Sequence, residues 1–207
     1  MLNKFLRHEK GITGLETAII LIAFVVVAAV FAYTALSAGL FSTQKAQEAV
    51  YSGLKEAQST LEMKGAVIAT ANTTGAAGTI GQITFTVSNV LGGEPIDFTI
   101  PSGSASGVAT GVANKVVINY LDQSQEKDNL YWTINKVGND DGDSLLEVGE
   151  KFQITVGGGA GNNLTDALTT DLTVNQKFSL VVLTPAGAVL TIERTTPPFI
   201  DAIINLR

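Results

Sequence analysis

The chain has 207 residues, with 13 basic and 19 acidic side chains and a formal net charge of −6. Because binding to nucleic acid depends on neutralising phosphates with basic side chains, this balance argues against a nucleic-acid partner. The chain has no cysteine and a single histidine, His8. A mature chain without its first residues would have neither, which excludes Ser-His-Asp and Cys-His catalysis and zinc sites with histidine or cysteine ligands.

A long apolar segment dominates the first third of the chain. No charged residue lies between Thr17 and Gln44, and about 20 apolar residues are enough to cross a bilayer as a helix. Apolar residues then continue at helical spacing with charges between them, which predicts one helix over residues 12–64. Such a helix would be roughly 75 Å long at 1.5 Å per residue, too long for a domain of this size to bury. It must be buried in a membrane, in other copies of itself, or in each in turn.

The start of this helix carries a recognisable signal. Lys10-Gly11 stands directly before Ile12-Thr13-Gly14-Leu15-Glu16 and the apolar run. This order resembles the class III signal peptides of type IV pilins and archaeal flagellins (archaellins), and it is more similar to archaellins than to bacterial pilins. In that family a prepilin-type signal peptidase in the membrane cuts directly after the glycine. The resemblance therefore implies a leader over residues 1–11, cut between Gly11 and Ile12, with the apolar helix kept in the mature protein.

Four residues of the helix are candidates for a role in assembly. Glu16 would be the fifth residue of the mature chain, where type IV pilins carry a carboxylate. Two interpretations stand: a carboxylate that complements the helix macrodipole at the helix start, or, as the resemblance implies, a group that meets the free amine of Ile12 in a neighbouring subunit. Val26, Val27 and Val30 lie deep in the uncharged run. We expect these valines to be buried in the core of a filament, against neighbouring helices.

After Gly65 the apolar period changes from helical to two, which predicts strands. Ile83, Phe85 and Val87, for example, share one face of their strand and alternate with polar residues. Short strands separated by Gly, Asn and Asp clusters indicate an antiparallel, immunoglobulin-like sandwich or barrel over residues 65–207, and an α+β chain as a whole. The predicted strands are Ala66–Thr70, Gln82–Ser88, Ile96–Ile100, Lys115–Leu121, Tyr131–Val137, Phe152–Val156, Lys177–Leu183 and Ala188–Glu193.

An acidic segment between two of these strands has the spacing of a calcium-binding loop. Counted from its first residue, oxygen-bearing side chains fall at positions 1, 3, 5, 9 and 12, and a carbonyl is available at position 7, as in EF-hand loops. These residues are Asn139, Asp141, Asp143, Glu147 and Glu150, with the carbonyl of Leu145. Position 6 is serine rather than glycine, and the flanks are strands. The segment is therefore either a structural calcium site or an acidic hairpin turn.

Two further motifs and one exclusion complete the candidate sites. Asn72-Thr73-Thr74 and Asn163-Leu164-Thr165 satisfy the N-x-S/T rule for glycosylation, and the resemblance to archaellins implies glycans at Asn72 and Asn163. The acidic pairs of the chain come with no pocket signal, so we predict no enzyme activity and no required cofactor.

The resemblance implies a structural subunit that polymerises through its helix into the archaeal flagellum (archaellum), used for swimming. Its partners would be other copies or paralogous archaellins, the signal peptidase, and the cytoplasmic membrane before assembly; the filament would be extracellular. One alternative is an adhesive type IV-like pilin subunit. Another is a single-pass membrane-anchored binding module, but an anchor needs no helix that continues beyond the bilayer.

Overall fold

The computed structural model describes residues 9–90, 93–111, 113, 115–159 and 161–206, with side chains from Gly14 onward. Helix α1 (Glu9–Gln58) comes first, and strands follow. The chain divides into two compact units, Met1–Ser52 and Gly53–Arg207, so the last turns of α1 belong with the strands.

In the first unit the uncharged run is helical throughout. Its β-branched residues are poor intrinsic helix formers, but an environment without water favours the helix because all backbone groups must bond internally there. The hydroxyls of Thr17, Thr34 and Thr43 donate to carbonyl oxygens three residues earlier, at 2.9–3.0 Å. These polar groups are therefore satisfied within the helix and need no outside partner.

Helix α1 ends at Gln58, before the predicted end at residue 64. Ser59 closes it: its amide donates to the carbonyl oxygens of Lys55 and Glu56, at 3.1 and 3.2 Å. A strand then starts at Leu61, because Leu61 and Met63 alternate with charged residues and pack against the core. Gly65, the predicted helix stop, lies inside this strand at φ +85°, where the register shifts as in a β-bulge.

Within the described residues, the second unit contains thirteen strands and one short helix. In chain order they are β1 (Leu61–Thr73), β2 (Thr79–Asn89), β3 (Ile96–Asp97), β4 (Ser102–Gly103), β5 (Ala109–Thr110), β6 (Val117–Asp122), β7 (Glu126–Lys127), β8 (Trp132–Val137), β9 (Leu145–Leu146), β10 (Lys151–Val156), α2 (Leu164–Ala167), β11 (Lys177–Leu183), β12 (Val189–Thr195) and β13 (Ile203–Leu206).

The strands form two main sheets in which all pairings are antiparallel. The larger has the order β13-β1-β2-β10-β8, and the smaller has the order β12-β11-β6-β7. Inward-facing residues of both sheets contribute to one hydrophobic core, so the sheets pack face to face. The predicted antiparallel β-domain is confirmed, and Ile83, Phe85 and Val87 are all buried on one face of β2.

Aromatic side chains fill the centre of this core. Phe98 meets Trp132 and Phe152 edge to face, with ring centroids 5.9 and 5.8 Å apart. Tyr120 of β6 stacks on Phe178 of β11 at 6.0 Å. Phe98 lies just beyond β3, since the predicted strand Ile96–Ile100 forms ladder bonds only at its first two residues. Phe98 therefore connects the loop after β3 to the five-stranded sheet, whereas Tyr120 and Phe178 pack within the four-stranded sheet; all five side chains belong to the one core.

Candidate assembly helix and acidic loop

The apolar part of α1 is not buried by the described part of its own chain. Its 18-residue window has a mean hydropathy of 2.8, which by length and composition is enough to cross a membrane, and none of that window is buried. Val26, Val27 and Val30 are 56%, 67% and 59% exposed. Exposed apolar surfaces of this extent mark sites of membrane or protein contact.

The predicted cleavage site lies at the edge of what the structure describes. Residues 1–8 of the leader are outside the described residues, and so are the side chains up to residue 13. The backbone of Gly11 and Ile12 falls within α1. Glu16 is exposed, and it stands four residues after Ile12, which places the two on the same side of a helix.

The acidic loop links β8 to β10 through successive turns. The Oδ1 atoms of Asp140, Asp141 and Asp143 each accept a hydrogen bond from the backbone amide two residues later, at 3.0, 3.1 and 2.7 Å. Aspartate commonly forms such turns with its own backbone. Asn139 is exposed at the start of the loop, and Leu145 lies in β9, paired with Asp97.

Glu150 closes the loop from its far end. Its side chain is only 8% exposed. Oε2 accepts a hydrogen bond from the Glu147 amide at 3.0 Å, and Oε1 accepts one from the Asp141 amide at 3.3 Å. A buried carboxylate needs such donors, because the loss of water is costly for a charged group. Glu150 therefore connects both halves of the loop.

The loop makes the hydrogen bonds of an acidic turn. Among the residues that the structure describes, no three His, Cys, Asp or Glu side chains are grouped as a metal site. Three of the predicted calcium ligands accept hydrogen bonds from backbone N–H groups. They are the carboxylates of Asp141, Asp143 and Glu150. An ionised carboxylate has about four acceptor sites, and each of these three uses one or two of them here, so the calcium interpretation stays a prediction.

The two glycosylation motifs differ in their surroundings. Asn72 is exposed near the end of β1, and Thr74 beside it is exposed as well. Asn163 is half-buried at the N-cap of α2, where its backbone N–H donates to Asp166 Oδ2 at 2.8 Å. Leu164, inside the second motif, is buried. The folded domain therefore presents the first motif more openly than the second.

The sequence analysis did not predict the network of polar hydrogen bonds around Asp122. Asp122 Oδ1 accepts hydrogen bonds from the Ser124 amide, the Ser124 hydroxyl and the Gln125 amide, at 2.6, 2.7 and 2.9 Å. Oδ2 accepts bonds from the Tyr120 hydroxyl and Gln125 Nε2, at 2.9 and 3.1 Å. Gln125 also donates to the carbonyl of Thr170 at 2.6 Å. Asp followed by Ser two residues later is a turn signal that could have indicated part of this network.

The hydrogen-bond network shifts the pKa values of both Asp122 and Tyr120. Burial by itself would raise the pKa of Asp122, but the bonds from Ser124, Gln125 and Tyr120 outweigh burial and lower it to about 2. Burial, together with the bond to Asp122, raises the pKa of Tyr120 well above its usual value. Tyr120 therefore stays a neutral donor and Asp122 a charged acceptor over the ordinary pH range.

Comparison with known proteins places the chain among filament proteins. The family model for archaeal-type flagellin matches residues 11–194. The chain is 39% identical over 202 residues to probable flagellin 2 of Archaeoglobus fulgidus, covering 95% of this chain and 94% of that protein. It is 33% identical over 205 residues to probable flagellin 1 of Aeropyrum pernix, covering 93% and 94%.

Solved structures give the same result. The archaeal flagellum of Methanospirillum hungatei strain JF1 superposes with a TM-score of 0.62 at 28% identity, covering 93% of this chain and 98% of that one. The crystal structure of archaeal flagellin FlaB1 from Methanocaldococcus jannaschii has a TM-score of 0.52 at 13% identity, with 72% and 96% covered. At that identity the second match shows the fold alone.

We predict that Glu150→Gln destabilises the β-domain, because a neutral amide replaces a buried carboxylate that accepts hydrogen bonds from the backbone amides of Asp141 and Glu147. The expected loss is about 2 kcal/mol of unfolding free energy, the size of a hydrogen bond to a charged group. Urea denaturation of a chain that begins at Gly53 measures it. Glu126→Gln, an exposed position in β7, removes the same charge and should change stability by less than about 0.5 kcal/mol. A calcium-induced rise in melting temperature that Glu150→Gln abolishes would support the calcium interpretation.

We predict an acid-dependent contribution from Asp122. Its folded pKa of about 2 is below the ordinary 3.8, so the stabilisation is fully present above that ordinary value. It is lost as pH falls from there towards 2. Asp122→Asn should be less stable than the parent at pH 7, and its unfolding free energy should fall less between pH 4 and pH 2. Denaturation curves across that range test this; parallel losses in both chains would show that Asp122 contributes no such term.

Proposed function

Because the chain belongs to the archaeal-type flagellin family, we propose that it enters its filament through α1, with the apolar face of that helix packed against the helices of neighbouring subunits. Members of this family are structural filament subunits and not enzymes, and the chain is such a subunit, located on the cell surface. The observation that carries the proposal is the apolar window of α1, none of which is buried by the described part of the chain.

Assembly through this helix has a simple energetic basis. Lipid tails are as apolar as leucine, so a helix that leaves a bilayer for a helix bundle keeps its apolar side chains out of water. The threonine hydroxyls of α1 make their bonds within the helix and carry no penalty in either place. The β-domain buries its own apolar face and can stay outside the bundle.

We also propose a precursor in the cytoplasmic membrane, cut by a prepilin-type signal peptidase between Gly11 and Ile12. The order of basic leader, Lys10-Gly11 and apolar run supports it, and such a leader favours a cytoplasmic amino terminus. In the mature chain, the exposed carboxylate of Glu16 would be available to the Ile12 amine of a neighbour. Asn72 and Asn163 are the proposed glycan acceptors, and calcium in the acidic loop remains a hypothesis.

We predict that Val26→Lys abolishes filaments. Near the centre of a bilayer the charge costs roughly 3 kcal/mol on insertion scales, and in a dry helix bundle it has no partner. Because every subunit of a filament repeats the defect, filaments should be absent rather than fragile. Electron microscopy of sheared surface appendages and a swimming assay measure this, with Val26→Leu as the matched control. Normal filaments from the lysine variant would contradict assembly through α1.

We predict that the mature chain begins at Ile12. The leader resembles class III signal peptides, and the peptidase that processes them cuts directly after glycine. Mass spectrometry of native filaments should find that terminus. Gly11→Val should block the cut, since the added side chain obstructs a site built for a small residue, and the uncut chain should stay in the membrane fraction. Native filaments that retain Met1, or that begin beyond Ser37, would contradict this processing.

A further inference from the structure

The second half of α1 carries a pattern of its own. Seven positions recur at alternating steps of four and three residues, which is the spacing of the a and d positions of a coiled coil. These positions, here called the heptad seam, are Leu36, Leu40, Thr43, Gln47, Val50, Leu54 and Ala57. The four large aliphatic side chains among them are 51–68% exposed, so the described part of the chain leaves the heptad seam largely uncovered.

The charges of these turns all lie on the other side of the helix. Lys45, Glu48, Lys55 and Glu56 occupy heptad positions b, c and f, which face away from the seam of a coiled coil. Lys45 pairs with Glu48 at 2.6 Å, and Lys55 pairs with Glu94 at 3.7 Å. The e and g positions that flank the heptad seam are uncharged: Ser37, Gly39, Gln44, Ala46, Tyr51 and Gly53. The charged side therefore has partners in its own chain, and the heptad seam carries no charge.

The two polar residues of the heptad seam are compatible with a helix partner. The Thr43 hydroxyl donates to the carbonyl oxygen of Leu40 at 2.9 Å, so it needs no acceptor outside the helix. Gln47 stands at an a position between Leu40 and Leu54. A single polar residue at an a position fixes which heptads of two helices face each other.

We propose that two copies of the chain pair through the heptad seam while both are still anchored in the membrane, before either enters a filament. The inference rests on the proposed function, because it assumes the precursor in the cytoplasmic membrane. It goes beyond that function because the pair forms ahead of the filament and needs no cut leader.

The membrane sets the geometry of such a pair. Lys45 is the first charged residue after the uncharged run, so Val50 and Leu54 stand beyond the hydrocarbon core, where exposure of their side chains to water is unfavourable. Every copy has the same basic leader and the same apolar span, and therefore the same orientation. A residue of one copy thus stands at the height of the same residue in the next, and the two heptad seams meet in parallel and in register.

Helix continuity and charge favour a second copy over the lipid surface. Helix α1 is unbroken to Gln58, so the turns beyond the bilayer continue along the helix axis and do not fold back onto the lipid. In-register pairing places identical side chains opposite each other, which is repulsive wherever they are charged. The heptad seam and its flanking positions have no charge, although the whole chain carries a net charge of −6. Two copies can therefore approach through this side of α1 without facing like charges.

The test uses the absence of cysteine from the chain. Val50→Cys places a thiol on the heptad seam, and Ser52→Cys places one on the charged side, both at exposed positions. Each is made in the Gly11→Val chain, which we expect to stay uncut in the membrane, and isolated membranes are oxidised with copper phenanthroline. We expect several-fold more disulfide-linked dimer from Val50→Cys than from Ser52→Cys, counted on chains that retain the leader by mass. Maleimide labelling after denaturation gives the total thiol in each sample.

An added charge gives an independent readout. Leu54→Glu combined with Val50→Cys should lower the dimer several-fold, because two carboxylates would face each other in register. Ser52→Glu combined with Val50→Cys adds the same charge on the other side and should leave the dimer near its level in Val50→Cys alone.

Equal dimer from the two cysteine positions would overturn the proposal, and so would a Val50→Cys dimer that Leu54→Glu leaves unchanged. Both results are read before any filament forms, so they are separate from the result of Val26→Lys, which tests assembly through the helix. Absence of the leader-retaining chain from the membrane fraction would overturn the proposed precursor and the pairing together.

Discussion

The rest of the structure depends on one constraint: α1 satisfies the hydrogen bonds of its own backbone, but it cannot bury its own apolar side chains. A helix bonds its peptide groups internally, and here threonine hydroxyls also bond one turn back. The apolar side chains remain exposed in the single chain, which in water costs about 25 cal/mol per Å² of apolar surface. Any surrounding that excludes water removes this cost. Lipid and a bundle of like helices are therefore nearly equivalent for α1, whereas water is not.

The second unit, in contrast, buries its apolar side chains in its own core. Its sheets bury Phe98, Trp132 and Phe152 against one another, and its acidic turns satisfy their own carboxylates. The boundary lies at Gly53 rather than at the helix end, because Lys55 pairs with Glu94 at 3.7 Å and the Ser59 hydroxyl lies 3.3 Å from that of Thr184. The last turns of α1 thus belong to the same compact unit as the strands.

Local patterns predicted the elements whose period is unambiguous. The uncharged run, the alternation around Phe85 and the span of β11 all appear as expected. The end of α1 was missed because Leu61-Glu62-Met63-Lys64 fits a strand as well as an amphipathic helix, and pairing with β2 decides between them. The spacing from Asn139 to Glu150 indicated an oxygen-rich loop but not the backbone donors that its carboxylates accept. Which donors reach Glu150 depends on the fold around it, which spacing does not encode.

The pairing of β13 with β1 has a consequence for biosynthesis. These strands are the last and the first of the β-domain, and four residues of each pair in register, from Val67 with Leu206 to Thr70 with Ile203. Contacts between residues so distant in the chain form late, since the intervening loop must close first. Until β13 has been made, the five-stranded sheet keeps an open edge at β1. A chain that lacks β13 would therefore present that unpaired edge to its neighbours.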